Sequence, residues 1–165
     1  MRLSARIIGI VLAAATLAAS SRSLFDGRGW RVGNHDENAR QKLTEYVLPK
    51  ESVDSWHELV THQTFVDPGH AVPLKRLMAQ TQRGLANGCP SLDFKVVQES
   101  EKEIVYEWQD GGCGGFPAQH EVDRLAVCPS GECRWAYATT VLPFEPKARK
   151  QWLAVLAKLP ADSEP

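Results

Sequence analysis

The sequence predicts an α+β protein: a twisted antiparallel β-sheet packed against two amphipathic helices, with two disulfides. Three observations carry this prediction. Short runs of β-branched and aromatic residues are separated by turn-forming segments, which is typical of hairpins. Two further segments repeat apolar residues at helical spacing. Finally, the chain contains four cysteines, an even number that fits two bridges.

The 165-residue chain has the composition of one globular domain, with 43% apolar and 24% charged residues. Its 19 basic residues nearly balance its 20 acidic residues, and no basic run stands out. Because nucleic-acid-binding surfaces need clustered Lys and Arg, this balance argues against DNA or RNA as a partner.

The N-terminal residues have the three parts of a cleaved signal peptide. Arg2 and Arg6 precede an apolar run over residues 7–19, and small residues follow it. The run is shorter than the roughly twenty residues of a membrane-spanning helix, so cleavage is favoured over a membrane anchor. We assign residues 1–20 to a signal peptide, 21–29 to a flexible linker, 30–160 to a single α+β domain and 161–165 to a disordered tail. We expect a soluble periplasmic or secreted protein, exported through a Sec-type signal, with no transmembrane segment after cleavage.

The first half of the domain contains three predicted strands. Residues 30–32 and 43–48 carry β-forming side chains, and the polar segment 33–38 separates them. Residues 51–66 are ambiguous, because their first half has apolar residues at helical spacing while their second half is rich in Val, Thr and Phe. We interpret this segment as a strand.

The second half contains two predicted helices and two predicted hairpins. Pro73 opens a helix whose apolar face extends to Leu85, and Gly88 is placed to end it. A second helix starts at Pro146 and stops before Pro160. Between the helices, hairpins join residues 92–97 to 104–108 and residues 125–128 to 133–141.

The cysteines predict two disulfides, because exported proteins fold in an oxidising compartment. Of the three possible pairings we favour Cys128–Cys133, since these residues flank a four-residue turn. The remaining pair is Cys89–Cys113, which would tie the end of the first helix to a glycine-rich loop. A zinc site is the alternative use of the cysteines, but the sequence has no CxxC pair. We predict no metal and no cofactor.

The sequence contains no recognisable catalytic constellation. It lacks HExxH and GxSxG, and the glycines around Cys113 lack the Lys-Ser or Lys-Thr of a phosphate-binding loop. His57 and His62 are five positions apart, so they lie on different faces of a strand or of a helix. We expect all five histidines to be solvated, and we predict no catalytic residue.

The tryptophans supply the candidate binding residues. Trp56, Trp108, Trp135 and Trp152 lie within periodic elements, which favours core packing. Trp30 lies at the leading edge of the domain and is expected to be partly exposed. An exposed tryptophan beside a groove indicates a binding surface. The predicted binding residues are Trp30, Trp56 and His57.

One short pattern resembles a known group of proteins. The pattern begins with P-x-E-x4-W and T-x-Q-x-F, and it continues with a Cys-Pro and with a second cysteine after a tryptophan-bearing strand. The matching residues are Pro49, Glu51, Trp56, Thr61, Gln63, Phe65, Cys89, Pro90, Trp108 and Cys113. It resembles small uncharacterised exported proteins of Gram-negative bacteria, with His57 where a Thr or Ser is expected and with Cys128 and Cys133 as an addition. The expected sheet flanked by helices is also similar to the PsbP/Mog1-like architecture. The resemblance implies the compartment and the fold, and it brings no catalytic residues.

These observations lead to three functional hypotheses. The first is a non-catalytic binding or accessory protein of the cell envelope, whose partner is a protein or an envelope component. The second is a secreted inhibitor or immunity protein directed against a toxic enzyme, which the small stapled scaffold would suit. The third is a hydrolase whose site is assembled across the fold, which would need a pocket with a histidine and a carboxylate of perturbed pKa.

Overall fold

Within the described part of the chain, seven strands form one antiparallel sheet, and two helices pack against it. The computed structural model describes residues 25–162. No helix within this range is long and apolar enough to cross a bilayer. The elements, in chain order, are β1 (Arg31–Glu37), β2 (Gln41–Val47), β3 (Glu58–Val66), α1 (Leu74–Gly88), β4 (Asp93–Glu99), β5 (Glu103–Asp110), β6 (Gln119–Cys128), β7 (Gly131–Thr139) and α2 (Pro146–Leu156).

The strand order β1-β2-β3-β7-β6-β5-β4 comes from two meanders that meet in the middle of the sheet. The first meander is β1-β2-β3 and the second is β4-β5-β6-β7, and the two join where β3 pairs with β7. Because β3 is central and β4 is the far edge, α1 carries the chain across one face of the sheet. Helix α1 covers part of this face and leaves the neighbouring part uncovered.

The predicted hairpins and both helices are confirmed. Strand β4 pairs with β5, and β6 pairs with β7, each as an antiparallel hairpin. Helix α1 follows Pro73, as the sequence predicted, and ends where the Cys89 amide donates to Leu85 O. The α+β prediction therefore agrees with the structure, in which the sheet is the larger part.

Two predicted segments are wrong. Strand β1 extends to Glu37 and includes most of the polar segment predicted to separate two strands. It is an edge strand whose residues are mostly exposed, so it has no need of the apolar alternation that identifies a half-buried strand. Strand β3 begins only at Glu58. Residues 51–57 instead form a loop in which Ser52 and Ser55 exchange two backbone hydrogen bonds, and this loop carries Trp56.

Both predicted disulfides are confirmed. Cys89 and Cys113 have Cα atoms 4.9 Å apart, and their bridge ties the end of α1 to the loop between β5 and β6. Cys128 and Cys133 have Cα atoms 5.8 Å apart and bridge the β6–β7 hairpin. In the sheet register Cys133 lies opposite Ala126, so this second bridge is diagonal rather than between directly opposed residues.

Gly131 is required at the start of β7. Its φ is +142°, and a Cβ at this position would collide with the backbone carbonyl of Phe65. A glycine therefore allows the β6–β7 turn to approach the end of β3 closely.

One face of the sheet, here called the aromatic face, is covered by α2. Trp152 of α2 stacks on Tyr137 with ring centroids 3.8 Å apart and meets Trp30 edge-on at 5.7 Å. Trp30 is only 5% exposed, so its predicted partial exposure is wrong. It is buried because its ring fills the space between the sheet and α2, where its indole N–H donates to Asp26.

Phe25 also belongs to the aromatic face, although the sequence predicted a linker through residue 29. Its ring contacts Trp30 at 5.6 Å, Tyr46 at 5.2 Å and Trp135 at 5.9 Å.

The other predicted boundaries, of the signal peptide near residue 20 and of a tail that includes residues 163–165, lie outside the described residues. At the C-terminal end, Ala161 O accepts a hydrogen bond from His62 Nε2, and His62 is buried rather than solvated.

The opposite face, here called the open face, is only partly covered. Leu74 and Met78 of α1 pack on Ile104, Tyr106 and Leu125 of β5 and β6. Because side chains alternate along a strand, the same face of β2, β3 and β7 lies beside α1 and carries polar residues. This part of the sheet positions the candidate site.

Candidate functional site

A groove lies on the open face of the sheet, bounded by α1 on one side and by two loops on the other. It consists of two adjoining cavities, which we call the floor lobe and the loop lobe, with volumes of about 450 and about 930 Å³. Glu45, Trp56, Leu59 and Phe116 line both lobes and therefore mark their junction. We call the whole feature the sheet groove.

The floor of the groove is built around Arg134 on β7. Its Nε donates to Asp123 Oδ1 at 2.6 Å, and its Nη2 donates to Glu121 Oε1, both carboxylates lying on β6. Small residues, Ala136 and Ala138, lie opposite Asp123 and Glu121 in the sheet register. Their size leaves room for the long arginine side chain to lie across the neighbouring strand. The sequence of β7 therefore encodes the floor: one arginine followed by alternate alanines.

The floor contains one guanidinium for two carboxylates. Burial raises the pKa of Asp123 well above its ordinary value, the charge of Glu121 raises it further, and Arg134 offsets only part of this shift. Burial opposes the charge of Arg134, but the two carboxylates outweigh it and raise the pKa of Arg134. Asp123 is fully buried, and its Oδ2 has no hydrogen-bond partner. The raised pKa favours the neutral form of Asp123, which leaves Arg134 and Glu121 as the charged pair of the floor.

The loop side of the groove has two aromatic side chains, Trp56 and Phe116. Trp56 is half-buried on the β2–β3 loop, and Phe116 is 51% exposed on the β5–β6 loop. Phe116 meets Trp108 edge-on, with ring centroids 6.4 Å apart. Its backbone exchanges two hydrogen bonds with Cys113, at 3.1 and 2.6 Å. The Cys89–Cys113 disulfide thus holds the loop that presents Phe116 to the groove.

The charged side chains around the groove are mainly acidic. Glu45 on β2 accepts a hydrogen bond from Asn34 Nδ2 at 2.9 Å through Oε2, and Asp54 is an exposed residue of the loop lobe. Together with Glu121 they outnumber Arg134, the one Lys or Arg among the described residues that line the two lobes. Because Arg134 is held by its own carboxylates, it offers little charge to a bound anion.

The structure brings together two of the three predicted binding residues. Trp56 lines both lobes, and His57 lines the loop lobe, where its side chain is 75% exposed and Nδ1 lies 2.9 Å from Glu51 Oε1. Trp30 is buried on the aromatic face and takes no part in the groove. The binding roles of Trp56 and His57 stay predictions.

Sequence reasoning missed four groove residues: Glu45, Phe116, Glu121 and Arg134. Two of them had a detectable signal. Phe116 is a large apolar residue in a loop of glycines, and Arg134 directly precedes the apolar run of residues 135–138. Glu45 and Glu121 had none, because a glutamate on a strand is ordinarily a solvated residue.

A separate cavity of about 410 Å³ lies at the aromatic face, beside Tyr137, Phe144 and Trp152. Arg28 donates two hydrogen bonds of 2.6 Å to Glu58, and Tyr137 Oη donates another of 2.6 Å. Burial alone would raise the pKa of Glu58, but these hydrogen bonds lower it overall. Arg28 thus binds both Asp26 and Glu58 in this cavity, which indicates a structural role for these three charged groups.

A largely buried histidine–carboxylate pair lies on the aromatic face, away from the sheet groove. His120 Nε2 lies 3.4 Å from Glu107 Oε2, and Arg149 donates to both Glu107 oxygens at 2.6 and 2.9 Å. Burial would raise the pKa of Glu107, yet the hydrogen bonds from Arg149 and His120 lower it, while burial lowers the pKa of His120. A carboxylate held in this way is a poor proton acceptor.

One cluster has metal-ligating residue types. The two sulfurs of Cys89 and Cys113 and a carboxylate oxygen of Asp110 lie within 4.8 Å of one another. The sulfurs are joined in a disulfide, and metal sites use the thiolate form of cysteine. The oxidised chain therefore has no thiolate ligands to offer at this position.

Comparison with known proteins adds no relative. No protein-family model, no curated protein and no solved structure matches the chain. The resemblance to exported Gram-negative proteins therefore stays a prediction.

Proposed function

We propose that the protein is an exported, non-catalytic binding protein of the cell envelope, and that the sheet groove binds a polypeptide partner. One observation carries the proposal: a concave, partly polar surface on the open face is flanked by the accessible aromatic residues Trp56 and Phe116. Aromatic side chains beside a polar, water-accessible rim are typical of protein-binding surfaces.

The shape of the groove favours an extended chain over a small molecule. The floor lobe alone has the volume of a small-ligand site, but it opens at Glu45, Trp56 and Phe116 into the larger loop lobe. An extended segment can place one side chain in the floor lobe while its backbone continues through the loop lobe.

The groove chemistry favours binding over catalysis. Glu121 and Asp123 are already bound by Arg134, and the groove histidine, His57, lies at the exposed rim beside Glu51. A general base needs a lone pair within reach of the substrate proton. Here the two carboxylates are bound by Arg134, and His57 is paired with Glu51. The His120–Glu107 pair that a hydrolase could use lies on the other face.

The proposed compartment rests on the cysteines and on the leader-like N-terminus. Two disulfides bridge the four cysteines of the chain, which is typical of proteins that fold in oxidising compartments. The predicted signal peptide over residues 1–20 lies outside the described residues, so a periplasmic or secreted location is part of the proposal.

Site-specific photo-crosslinking in the producing cells tests this function. A benzophenone amino acid would be placed at Ser55 or Pro117 on the groove rim, with matched positions at Lys147 and Lys150 on α2 as controls. We expect discrete polypeptide adducts from the rim positions only. We also expect these adducts to disappear in a Trp56→Ala/Phe116→Ala background, because the aromatic rim is removed.

Two results would refute the proposed function. One is the same adduct pattern from the rim and from α2, which would indicate unspecific contact. The other is an adduct yield that the double alanine variant leaves unchanged, with circular dichroism showing that this variant is folded.

A further inference from the structure

We propose that the sheet groove selects a polypeptide segment with a basic side chain, a lysine or an arginine, which it binds where Glu45, Trp56 and Phe116 meet. This inference rests on the proposed function and deepens it by naming the chemistry of the partner. It rests on the aromatic residues and the charge balance of the groove, and on the Arg28 site of the aromatic face.

The junction of the two lobes combines aromatic rings with a carboxylate. Trp56 and Phe116 line both lobes, and Glu45 lines both as well. The faces of aromatic rings attract cations, tryptophan most strongly, and a carboxylate adds a charge-assisted hydrogen bond. An ammonium or guanidinium group satisfies both kinds of residue at once, whereas an apolar side chain would leave Glu45 desolvated.

The charge balance of the groove points the same way. Glu45, Asp54 and Glu121 face one cation, Arg134, which already donates to Glu121 and to Asp123. A bound Lys or Arg side chain would bring the charge of these groove residues closer to balance. An acidic segment would meet like charges, and this repulsion would discriminate against it.

Next to the cavity of the aromatic face, an arginine of the chain itself binds a tryptophan ring and two carboxylates. The guanidinium carbon of Arg28 lies 5.4 Å from the centre of a Trp30 ring, and the guanidinium nitrogens of Arg28 bind Asp26 and Glu58. Tryptophan and carboxylates thus hold an arginine there. The junction of the sheet groove has two aromatic rings and a carboxylate as well. Among residues 25–162, however, no arginine or lysine lines both lobes.

Peptide libraries that differ only in their central residue test the inference. Soluble libraries with randomised flanks would carry Lys, Arg, norleucine, citrulline or Glu at the centre, and binding to the purified full chain would be measured by fluorescence anisotropy. We expect saturable binding of the Lys and Arg libraries, weakened by salt. Norleucine keeps the carbon chain of lysine without its ammonium group, and citrulline keeps the shape of arginine without its charge. Both libraries should bind at least about tenfold more weakly than the Lys and Arg libraries.

A matched pair of variants locates the binding. Glu45→Gln removes the carboxylate at the junction, whereas Glu99→Gln removes an exposed carboxylate on β4 that pairs with Lys75. We expect the first variant to weaken binding of the Lys library about tenfold, and the second to leave it unchanged.

Three outcomes would overturn the inference: equal affinity for the lysine and norleucine libraries, equal effects of Glu45→Gln and Glu99→Gln, or no saturable binding of any basic library. The first two leave the proposed function standing if the groove rim still crosslinks to a partner in cells. Loss of rim-specific crosslinking would instead refute the proposed function itself.

Discussion

The two faces of one sheet have different chemistry although they are built from the same strands. On the aromatic face, Trp135 and Tyr137 of β7 pack under α2 in a cluster of rings. On the open face, Arg134 of the same strand binds carboxylates at the floor of a groove. Because side chains alternate along a strand, neighbouring residues of β7 lie on opposite faces and have different roles. At β2, β3 and β7, the aromatic face therefore carries packing that stabilises the fold, while the open face, whose own apolar cluster lies under α1, keeps polar groups for binding.

The tryptophans give the sharpest test of this division. Trp152→Ala should lower the free energy of unfolding by about 3–5 kcal/mol, because it removes a buried ring stacked on Tyr137. Trp56→Ala, in the half-buried rim of the groove, should cost about 1 kcal/mol or less. Urea unfolding followed by circular dichroism measures both values. Equal losses would contradict the division between the two faces.

The two disulfides extend the test, since one lies on each side of the sheet. The bridges span 24 and 5 positions of sequence. Replacing both Cys89 and Cys113 by serine should cost about 3 kcal/mol, and the same change at Cys128 and Cys133 about 2 kcal/mol, because the longer loop restricts the unfolded chain more. Thermal and urea unfolding would measure these losses.

The two disulfide variants should also differ in their affinity for the Lys library. The Cys89–Cys113 bridge holds the loop of Phe116, so its removal should weaken capture of the Lys library. Removal of Cys128–Cys133, on the aromatic face, should leave that affinity unchanged once the variant is shown to be folded. A reversed order of the two affinities would show that the loop does not depend on its bridge.

The smallest effect concerns pH, and its sign differs between the faces. The folded pKa of Glu107 is lowered, so its contribution to stability is present above its ordinary pKa and is lost as pH falls through the folded value. The folded pKa of Asp123 is raised, so its contribution is present below its ordinary pKa and is lost as pH rises through the folded value.

Two conservative variants measure these opposite slopes. The destabilisation caused by Glu107→Gln should shrink as the pH is lowered below about 4.5, the ordinary pKa of the group. Asp123→Asn should instead gain stability relative to the parent protein as the pH rises from about 4 towards neutral, because it avoids a buried negative charge. Urea unfolding at a series of pH values provides the comparison. Slopes of the same sign would contradict the assigned charge states.

Local patterns were sufficient to predict much of the fold. The helix after Pro73, the hairpin of β6 and β7, and both disulfides depend on residues close in sequence or on simple elimination among four cysteines. Strand β1 escaped prediction because an exposed edge strand has no buried face to impose alternation. Trp30 was misplaced because its burial depends on α2, more than a hundred positions away.

The candidate site was only partly predictable for a related reason. Trp56 could be identified as an aromatic candidate, but its neighbour in the groove, Phe116, comes from a loop some sixty positions later. Glu45 joins them only because β2, β3 and β7 are adjacent in the sheet. The strand order that creates the groove follows from the crossing of α1, which no local motif encodes.

Acrylamide quenching of tryptophan fluorescence tests the central claim most directly. Trp30, Trp108, Trp135 and Trp152 are between 1% and 5% exposed, so Trp56 is the tryptophan that a quencher can reach most readily. Saturation with the Lys library should lower the quenching constant to that of the Trp56→Phe variant, because a bound segment covers Trp56. An unchanged quenching constant at saturating peptide would contradict the assignment of the sheet groove as the binding surface.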